Sequence, residues 1–204
     1  MSSSNAVKVA VVGGGVIGVS TAQQLVRAGA DVVLVTEGEL ASNASGRSLS
    51  WLNSAGIRSE SYHRLRMAGI DRYRTLAAQH PGLDWLRFDG GLAWQAADQA
   101  EQLHSRHEHE AAHGYDSQLL SSDQVATYTT GVNPAAIPKA GAIWNAGEGW
   151  VDLPCLVRFL ATDFVERGGQ LVTNAGRCTI MTDAGSVVGV RTGPGGAFPA
   201  QAAV

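Results

Sequence analysis

Cysteine is nearly missing from this chain: Cys155 and Cys178 stand alone among 204 residues, with no C-x-x-C spacing. A disulfide framework or a thiolate metal site needs more sulfur than that, so reduced, buried thiols are expected. Aromatic residues make up 6% and charged residues 16%, and the 15 Lys plus Arg form no basic run. With a formal net charge of −3, nothing marks a nucleic-acid partner or an anionic membrane surface. Long apolar runs are missing as well. Those near Val9 and Asp31 are far shorter than the roughly 20 residues that span a bilayer. The opening "MSSSNAV" lacks the basic and apolar regions of a secretory signal, so a cytoplasmic location is expected. The 45% apolar content suffices for the core of one large or two small domains. No internal repeat is visible.

Glycine, in contrast, is concentrated where it carries information. In "VAVVGGGVIG", Val9 to Gly18, four of ten residues are glycine. Before it, Val7 to Val12 is a β-branched run of the kind that forms a fully buried parallel strand. After it, "VIGVSTAQQLVRAGA" places Ile17, Thr21, Leu25 and Ala28 at three- and four-residue spacing, and Gly29 reads as a C-cap. "DVVLV", Asp31 to Val35, supplies a second buried strand. The result is a βαβ unit whose glycines fit G-x-G-x-x-G as Gly13, Gly15 and Gly18. Gly13 would make the tight turn, Gly15 would let a pyrophosphate approach the backbone, and Gly18 would let helix and strand pack closely. The diphosphate would sit on the helix N-terminus beside Val16 and Ile17, where unpaired N–H groups and the dipole favour negative charge.

An acid after the second strand completes this fingerprint by accepting hydrogen bonds from the adenosine ribose. Glu37, 19 positions after Gly18, is close to the spacing of about 20 that the fingerprint asks for. A free carboxylate there disfavours a ribose 2′-phosphate, so FAD or NAD is expected rather than NADP. Gly15 and Glu37 are accordingly expected to bear on cofactor affinity rather than on folding.

The next stretch, "GELASNASGRSLSWLNSAG", distinguishes between the two dinucleotides. It resembles the small-residue loop of the FAD-dependent oxidoreductases related to D-amino acid oxidase, glycine oxidase and sarcosine oxidase. In that family an A-S-x-x-S/A-G-R loop follows the acid and passes under the flavin diphosphate and ring. Ala44, Ser45, Gly46 and Arg47 match it, with Ser48 to Leu52 continuing toward where the flavin ring would lie; Gly38 and Ser48 join them as cofactor-binding candidates, and FAD is the cofactor the resemblance implies. Short hydroxyl side chains, open backbone and one arginine suit a phosphate-rich ligand. "DGGLAW", Asp89 to Trp94, is similar to the family's glycine pair before a substrate-domain strand. Gly149, Asp152, Pro154 and Leu156 are similar to its G-x-x-D-P-x-x-L segment, with Asp152 an N-cap and Pro154 in the first helical turn.

The resemblance implies an α/β fold: a Rossmann-like FAD-binding parallel sheet with a β-meander, plus part of an inserted α+β substrate domain. Residues 1–82 and 151–204 would form the FAD-binding part and 83–150 the substrate-domain segment. Within this frame, "SESYHRLRMAGIDRYRTLAAQHPG" reads as a long helix through Leu65, Ile70, Tyr73 and Leu76. Short strands are expected near Trp85 to Phe88, Leu92 to Trp94 and Ala142 to Trp144, with a polar helix between. A helix from Leu153 to Arg167 and a third parallel strand at "GGQLV" follow. The meander is expected at Cys178 to Thr182, Val187 to Thr192 and Phe198 to Ala202, turning at Asp183 to Ser186 and Gly193 to Gly196.

By the same resemblance the activity is oxidation of the C–N bond of an amino acid or amine, with hydride passing to the flavin and an imine leaving. The flavin carries the electron chemistry, so no general base is required and no catalytic residue is assigned. Family members continue beyond this length, so the chain resembles an N-terminal half. It would be an incomplete enzyme, an FAD-binding subunit that needs a second chain, or a nucleotide-binding module without activity. The parallel strand beside Val7 to Val12 is expected after Val204, leaving an open apolar edge that would recruit another copy or a complementary chain.

Other residues read as structural. "HSRHEHEAAH" puts His104, His107, His109 and His113 on one helix, but no third ligand is placed and a solvated surface helix accounts for them, so no metal site is assigned. Trp51 follows the flavin loop and is a pocket candidate. Trp85, Trp94, Trp144 and Trp150 are expected in the core, and His63 on a helix surface.

Overall fold

A computed structural model describes residues 6–193 and 196–204. The expected turn at Gly193 to Gly196 therefore lies partly outside the described residues, and the opening "MSSSN" lies wholly outside them. The chain runs β1 (Lys8–Val12), α1 (Val16–Arg27), β2 (Asp31–Val35), β3 (Trp51–Leu52), α2 (Glu60–Gln79), β4 (Leu86–Arg87), β5 (Gly91–Ala93), α3 (Ala100–Ala112), β6 (Gln118–Leu120), α4 (Ser122–Tyr128), β7 (Ala142–Asn145) and β8 (Gly149–Val151). It continues through α5 (Leu153–Glu166), β9 (Gln170–Val172), β10 (Thr179–Asp183), β11 (Ser186–Arg191), β12 (Ala197–Pro199) and β13 (Ala202–Ala203). Two compact units result: the residues up to Leu49 with Asp152–Val204, and Ser50–Val151.

The first unit is built on a parallel sheet in the order β13-β1-β2-β9. Its central strands are apolar without alternation because both faces are covered. Val9, Val11, Val32 and Leu34 face the helices, where they pack with Val19 and Ala22 of α1 and Val157, Ala161 and Phe164 of α5. Ala10, Val33 and Val35 point the other way, into a cluster with Ala175, Val190 and Ala200 on the side of the antiparallel β10-β11-β12 meander. Helix α1 ends as its sequence suggests: Gly29 N–H donates to Val26 O and Ala30 N–H to Leu25 O, the paired bonds of a Schellman motif. Asp152 caps α5, its Oδ1 accepting from Cys155 N–H at 2.9 Å.

Two expectations about this unit do not hold. Of Ile17, Thr21, Leu25 and Ala28, Leu25 packs against the core, but Ile17 is 83% exposed and the buried residues of α1 are Val19, Ala22 and Gln23. Ile17 and Thr21 line a cavity instead. The strand expected beyond Val204 is already present. β13 leaves the meander after Pro199 and pairs in parallel with β1, Val9 opposite Ala202 and Ala10 opposite Ala203. Val204 N–H donates to Ala10 O and Val12 N–H to Val204 O, so that side of β1 is covered. Small alanines hide this second strand inside what reads as one continuous meander strand.

Within Ser50–Val151, two three-stranded antiparallel sheets, β3-β8-β4 and β5-β7-β6, accompany α2, α3 and α4. Helix α2, grouped by sequence with the first segment, is fastened inside this unit. Arg66 Nε donates to Asn53 O at 2.6 Å and Arg74 Nη2 to Gly147 O at 2.7 Å. Trp94 and Trp150 are not core residues but lie 41% and 40% exposed; Trp150 sits opposite Trp51 across β3 and β8.

Candidate functional site

A cavity of about 430 Å³ opens at the C-terminal end of β1 and the N-terminus of α1. Gly13, Gly14, Gly15, Val16, Ile17 and Gly18 line it on the turn side. Thr36, Glu39, Ser42, Asn43, Ala44 and Ser45 line it from the segment that follows β2. This is the crevice outside the carboxyl ends of parallel strands where nucleotide ligands settle in such sheets.

Backbone packing explains why glycines fill the turn. Gly13 adopts φ +128°, a conformation that side chains rarely tolerate. A Cβ on Gly18 would stand 2.0 Å from the Gly13 carbonyl oxygen, so helix and strand meet there without room for a methyl group. A Cβ on Gly14 would lie 2.6 Å from Thr36 Oγ1, whereas one on Gly15 would meet only Ser45 Oγ, at 3.2 Å. Gly14 and Gly15 thus keep open a cradle that ordinary side chains would narrow.

The loop after β2 is tied to this turn. Ala41 N–H donates to Gly14 O at 2.9 Å, and Ser45 Oγ accepts from Val16 N–H at 2.9 Å. Ala44–Arg47 forms a 3-10 turn in which a Cβ on Gly46 would lie 2.2 Å from Ala41 O. Helix α1 has no side-chain cap of its own and no acidic residue in its first turn. Its N-terminal dipole is therefore not offset by a carboxylate of that turn, as anion binding requires.

The structure sorts the residues singled out by sequence. Gly13, Gly15, Val16, Ile17, Gly18, Ala44 and Ser45 line the cavity; Glu37, Gly38, Gly46, Arg47 and Ser48 do not. Glu37 is exposed, and its carbonyl accepts from Gly176 N–H. Burial raises the Cys178 thiol pKa, and the Glu37 charge adds to that shift. The chain bends directly after β2, at residues 37–39, so strand alternation does not carry past Thr36. Among the lining residues that sequence reasoning missed are Thr36, 5% exposed, Glu39, Gly14, Ser42 and Asn43. The available signal was the strand end: Val35 is the last residue of β2, and Thr36 follows it directly.

A second concentration of polar groups lies inside the Ser50–Val151 unit. Tyr115 OH donates to Glu148 Oε1 at 2.6 Å and accepts from Ser54 N–H at 2.9 Å. Glu110 Oε1 accepts from Gly56 N–H at 2.6 Å and pairs with Arg106 Nε at 2.7 Å. Glu148 and Glu110 are 1% and 2% exposed, so α3 is more than the solvated surface helix expected. Burial pushes both the Glu148 carboxyl and the Tyr115 hydroxyl up from their ordinary pKa values. His63 Nδ1 lies 2.9 Å from Ser54 Oγ; burial, then the charges of His113 and His109, lower its pKa. The His109 and His113 rings stack at 4.1 Å, and among the described residues no group of three or more His, Cys, Asp or Glu could hold a metal ion.

The parallel sheet and its glycine-lined crevice define a dinucleotide-binding α/β protein. More narrowly, the chain belongs to the family described as FAD dependent oxidoreductase, which matches residues 8–204. FAD is the cofactor of that family, and the cradle fits it: a diphosphate-accepting helix end, two glycines whose Cβ atoms would intrude, and a hydroxyl-rich loop. No curated protein sequence matches the chain. Among solved structures it is similar to glycine oxidase from Bacillus cereus ATCC 14579, at 25% identity and TM-score 0.82, covering 97% of this chain and 54% of that one. Glycine oxidase from Geobacillus kaustophilus matches at 24% identity and TM-score 0.80, covering 96% and 53%. L-amino acid deaminase from Proteus vulgaris matches at 21% identity and TM-score 0.76, covering 100% and 47%. The chain therefore spans about half the length of the structures it matches. Among the described residues no helix is long and apolar enough to cross a membrane.

Proposed function

We propose that this chain is the FAD-binding portion of an enzyme that oxidises the C–N bond of an amino acid or related amine. The carrying observation is the glycine-lined cavity at the α1 N-terminus in a chain of the FAD-dependent family. Likeness to a glycine oxidase at 25% identity supports the substrate class. Bound in this cavity, FAD supplies a two-electron acceptor for hydride from the carbon next to nitrogen, leaving an imine that water hydrolyses.

The chain's own residues bind and orient. The turn from Gly13 to Gly18 holds the diphosphate with backbone N–H groups at the helix end. Ser45 Oγ, fixed by Val16 N–H, has its hydroxyl hydrogen available for a phosphate oxygen. The Gly46, Arg47 and Ser48 segment carries the loop onward, its approach to Ala41 permitted by Gly46. Coverage of about half of each neighbour favours a further point: turnover draws on residues outside this chain, supplied by the rest of a longer protein or by a second chain.

The test is to purify residues 1–204, add FAD and follow flavin absorbance anaerobically with D-, L- and N-methyl amino acids, alone and after adding the complementary half of a glycine oxidase. FAD binding without bleaching by the chain alone, and bleaching in the mixture, is the expected result. Failure to bind FAD overturns the cofactor reading. Rapid bleaching by the chain alone overturns the need for further residues.

A further inference from the structure

We propose that Glu39, oriented by Asn174, is the acid that reads the adenosine ribose, in place of an acid at the end of β2. The proposal rests on the FAD reading of the cavity. The position directly after β2 is Thr36, whose hydroxyl can both donate and accept and so does not by itself select a sugar hydroxyl. Glu37 is not among the cavity-lining residues, and Glu39 is the carboxylate that is.

What makes Glu39 more than a surface acid is the way it is held. Residues 174–176 follow β9 and bond to the lining segment in sequence: Asn174 N–H to Gly38 O at 3.1 Å, Ala175 N–H to Thr36 O at 3.0 Å, and Gly176 N–H to Glu37 O at 3.1 Å. Asn174 sits at φ +54°, the left-handed region that asparagine tolerates better than most residues. In that conformation its main chain binds Gly38 while its side-chain Nδ2 donates to Glu39 Oε1. One residue thus fixes both the segment and its carboxylate.

With Oε1 engaged by Asn174, Oε2 retains its acceptor capacity for a ribose hydroxyl. An ionised carboxylate only accepts, so it favours hydroxyl donors and repels a phosphate ester on the same sugar. The ligand class follows: adenine nucleotides with free ribose hydroxyls, in preference to those phosphorylated at the 2′ position. Asn174 is a positioning residue in this scheme, acting through Glu39.

The experiment is calorimetry on the 204-residue chain with FAD, and displacement of bound FAD by AMP and by adenosine 2′,5′-bisphosphate, which differ only in the 2′-phosphate. The wild type is expected to bind FAD and to prefer AMP. Glu39→Gln is expected to weaken FAD binding roughly tenfold and to narrow the preference by a similar factor. Asn174→Gly keeps the left-handed backbone but removes the amide; it should weaken binding about threefold and narrow the preference in the same direction. A purely structural role for Asn174 would not change that preference. Glu37→Gln should alter neither quantity. If the wild type binds FAD while Glu39→Gln and Asn174→Gly match it in affinity and preference, the Glu39 assignment is overturned and the FAD reading stands. If the wild type binds no FAD, both fall.

Discussion

The carbonyl oxygen of Gly13 occupies the space that a side chain on Gly18 would need, only 2.0 Å from the position of its Cβ. The obstacle is backbone on a buried strand-to-helix turn, so it cannot swing aside. Gly18→Ala should lower stability by about 1–3 kcal/mol or more through forced separation of β1 and α1. Gly15→Ala meets only a serine hydroxyl at 3.2 Å and should leave the melting temperature nearly unchanged while weakening FAD binding. Thermal unfolding and calorimetry on both variants separate the two roles; equal melting temperatures for the pair would contradict the packing argument.

Much of this site was legible in the sequence, because turn geometry and helix-end chemistry depend on local residue types. G-x-G-x-x-G after a β-branched run pointed to Gly13, Gly15 and Gly18, which line the cavity, and the unbroken apolar runs of β1 and β2 read as parallel strands, as they pair here. Side-chain direction was less accessible. Spacing from Gly18 pointed to Glu37, but the chain leaves the strand after Val35 and bends at residues 37–39, where spacing no longer fixes side-chain direction; the structure puts Thr36 and Glu39 at the cavity. The exposure of Ile17 was likewise hidden, since a cavity and a core both accept apolar residues. The burial of Glu110 and Glu148 was not legible from spacing: Glu110 has an i,i+4 partner in Arg106, as a surface helix would, but the contacts that accompany burial come from Gly56 and Tyr115, 54 and 33 residues away.

Ser45 joins the loop to the helix, and its loss should be felt at the cofactor. Ser45→Ala removes the acceptor of Val16 N–H, a single hydrogen bond worth on the order of 1 kcal/mol. Water or a phosphate oxygen can take that N–H, so the fold should persist while FAD affinity falls severalfold. Calorimetry with FAD checks this; unchanged affinity would remove Ser45 from the proposed site.

Asp163 is the junction between α1 and α5. Its Oδ2 accepts from Gln23 Nε2 at 2.7 Å and pairs with Arg27 at 3.1 Å, and its Oδ1 accepts from Arg167 Nε at 2.9 Å. Partial burial opposes ionisation, but the bonds from Gln23 and Arg167 and the charges of Arg27 and Arg167 outweigh it and hold the carboxyl below its ordinary pKa. A lowered folded-state value contributes stability above the ordinary carboxylate pKa, lost as pH falls through the lowered one. Asp163→Ala leaves the Gln23 amide, on a residue 3% exposed, without its acceptor and should destabilise the protein by about 1–3 kcal/mol at neutral pH. Denaturant unfolding between pH 3 and 7 on the order of unit steps should show the difference shrinking at the acid end; a constant difference would contradict this assignment.

Glu148 should behave in the opposite sense. It is 1% exposed, and burial raises its carboxyl pKa most, with the Glu110 charge adding to the shift; the hydrogen bonds from Tyr115 and Trp51 and the charge of Arg106 oppose it. A raised folded-state pKa gives stability that is fully present below the ordinary glutamate value and declines as pH rises through the raised one. Wherever the carboxylate is ionised, its buried charge is therefore a cost the fold bears, while its oxygen remains the acceptor of the Tyr115 hydroxyl. Glu148→Gln keeps that acceptor and removes the charge, so it should leave the protein as stable or more stable at pH near 7 and flatten the pH dependence. Glu148→Ala removes the acceptor too, stranding a hydroxyl on a residue 7% exposed, and should destabilise by about 1–3 kcal/mol. Measuring both variants by denaturant unfolding across this range separates charge from hydrogen bonding. A glutamine variant that loses as much stability as the alanine variant at neutral pH would show that the carboxylate's charge, and not its acceptor oxygen, holds Tyr115 in place.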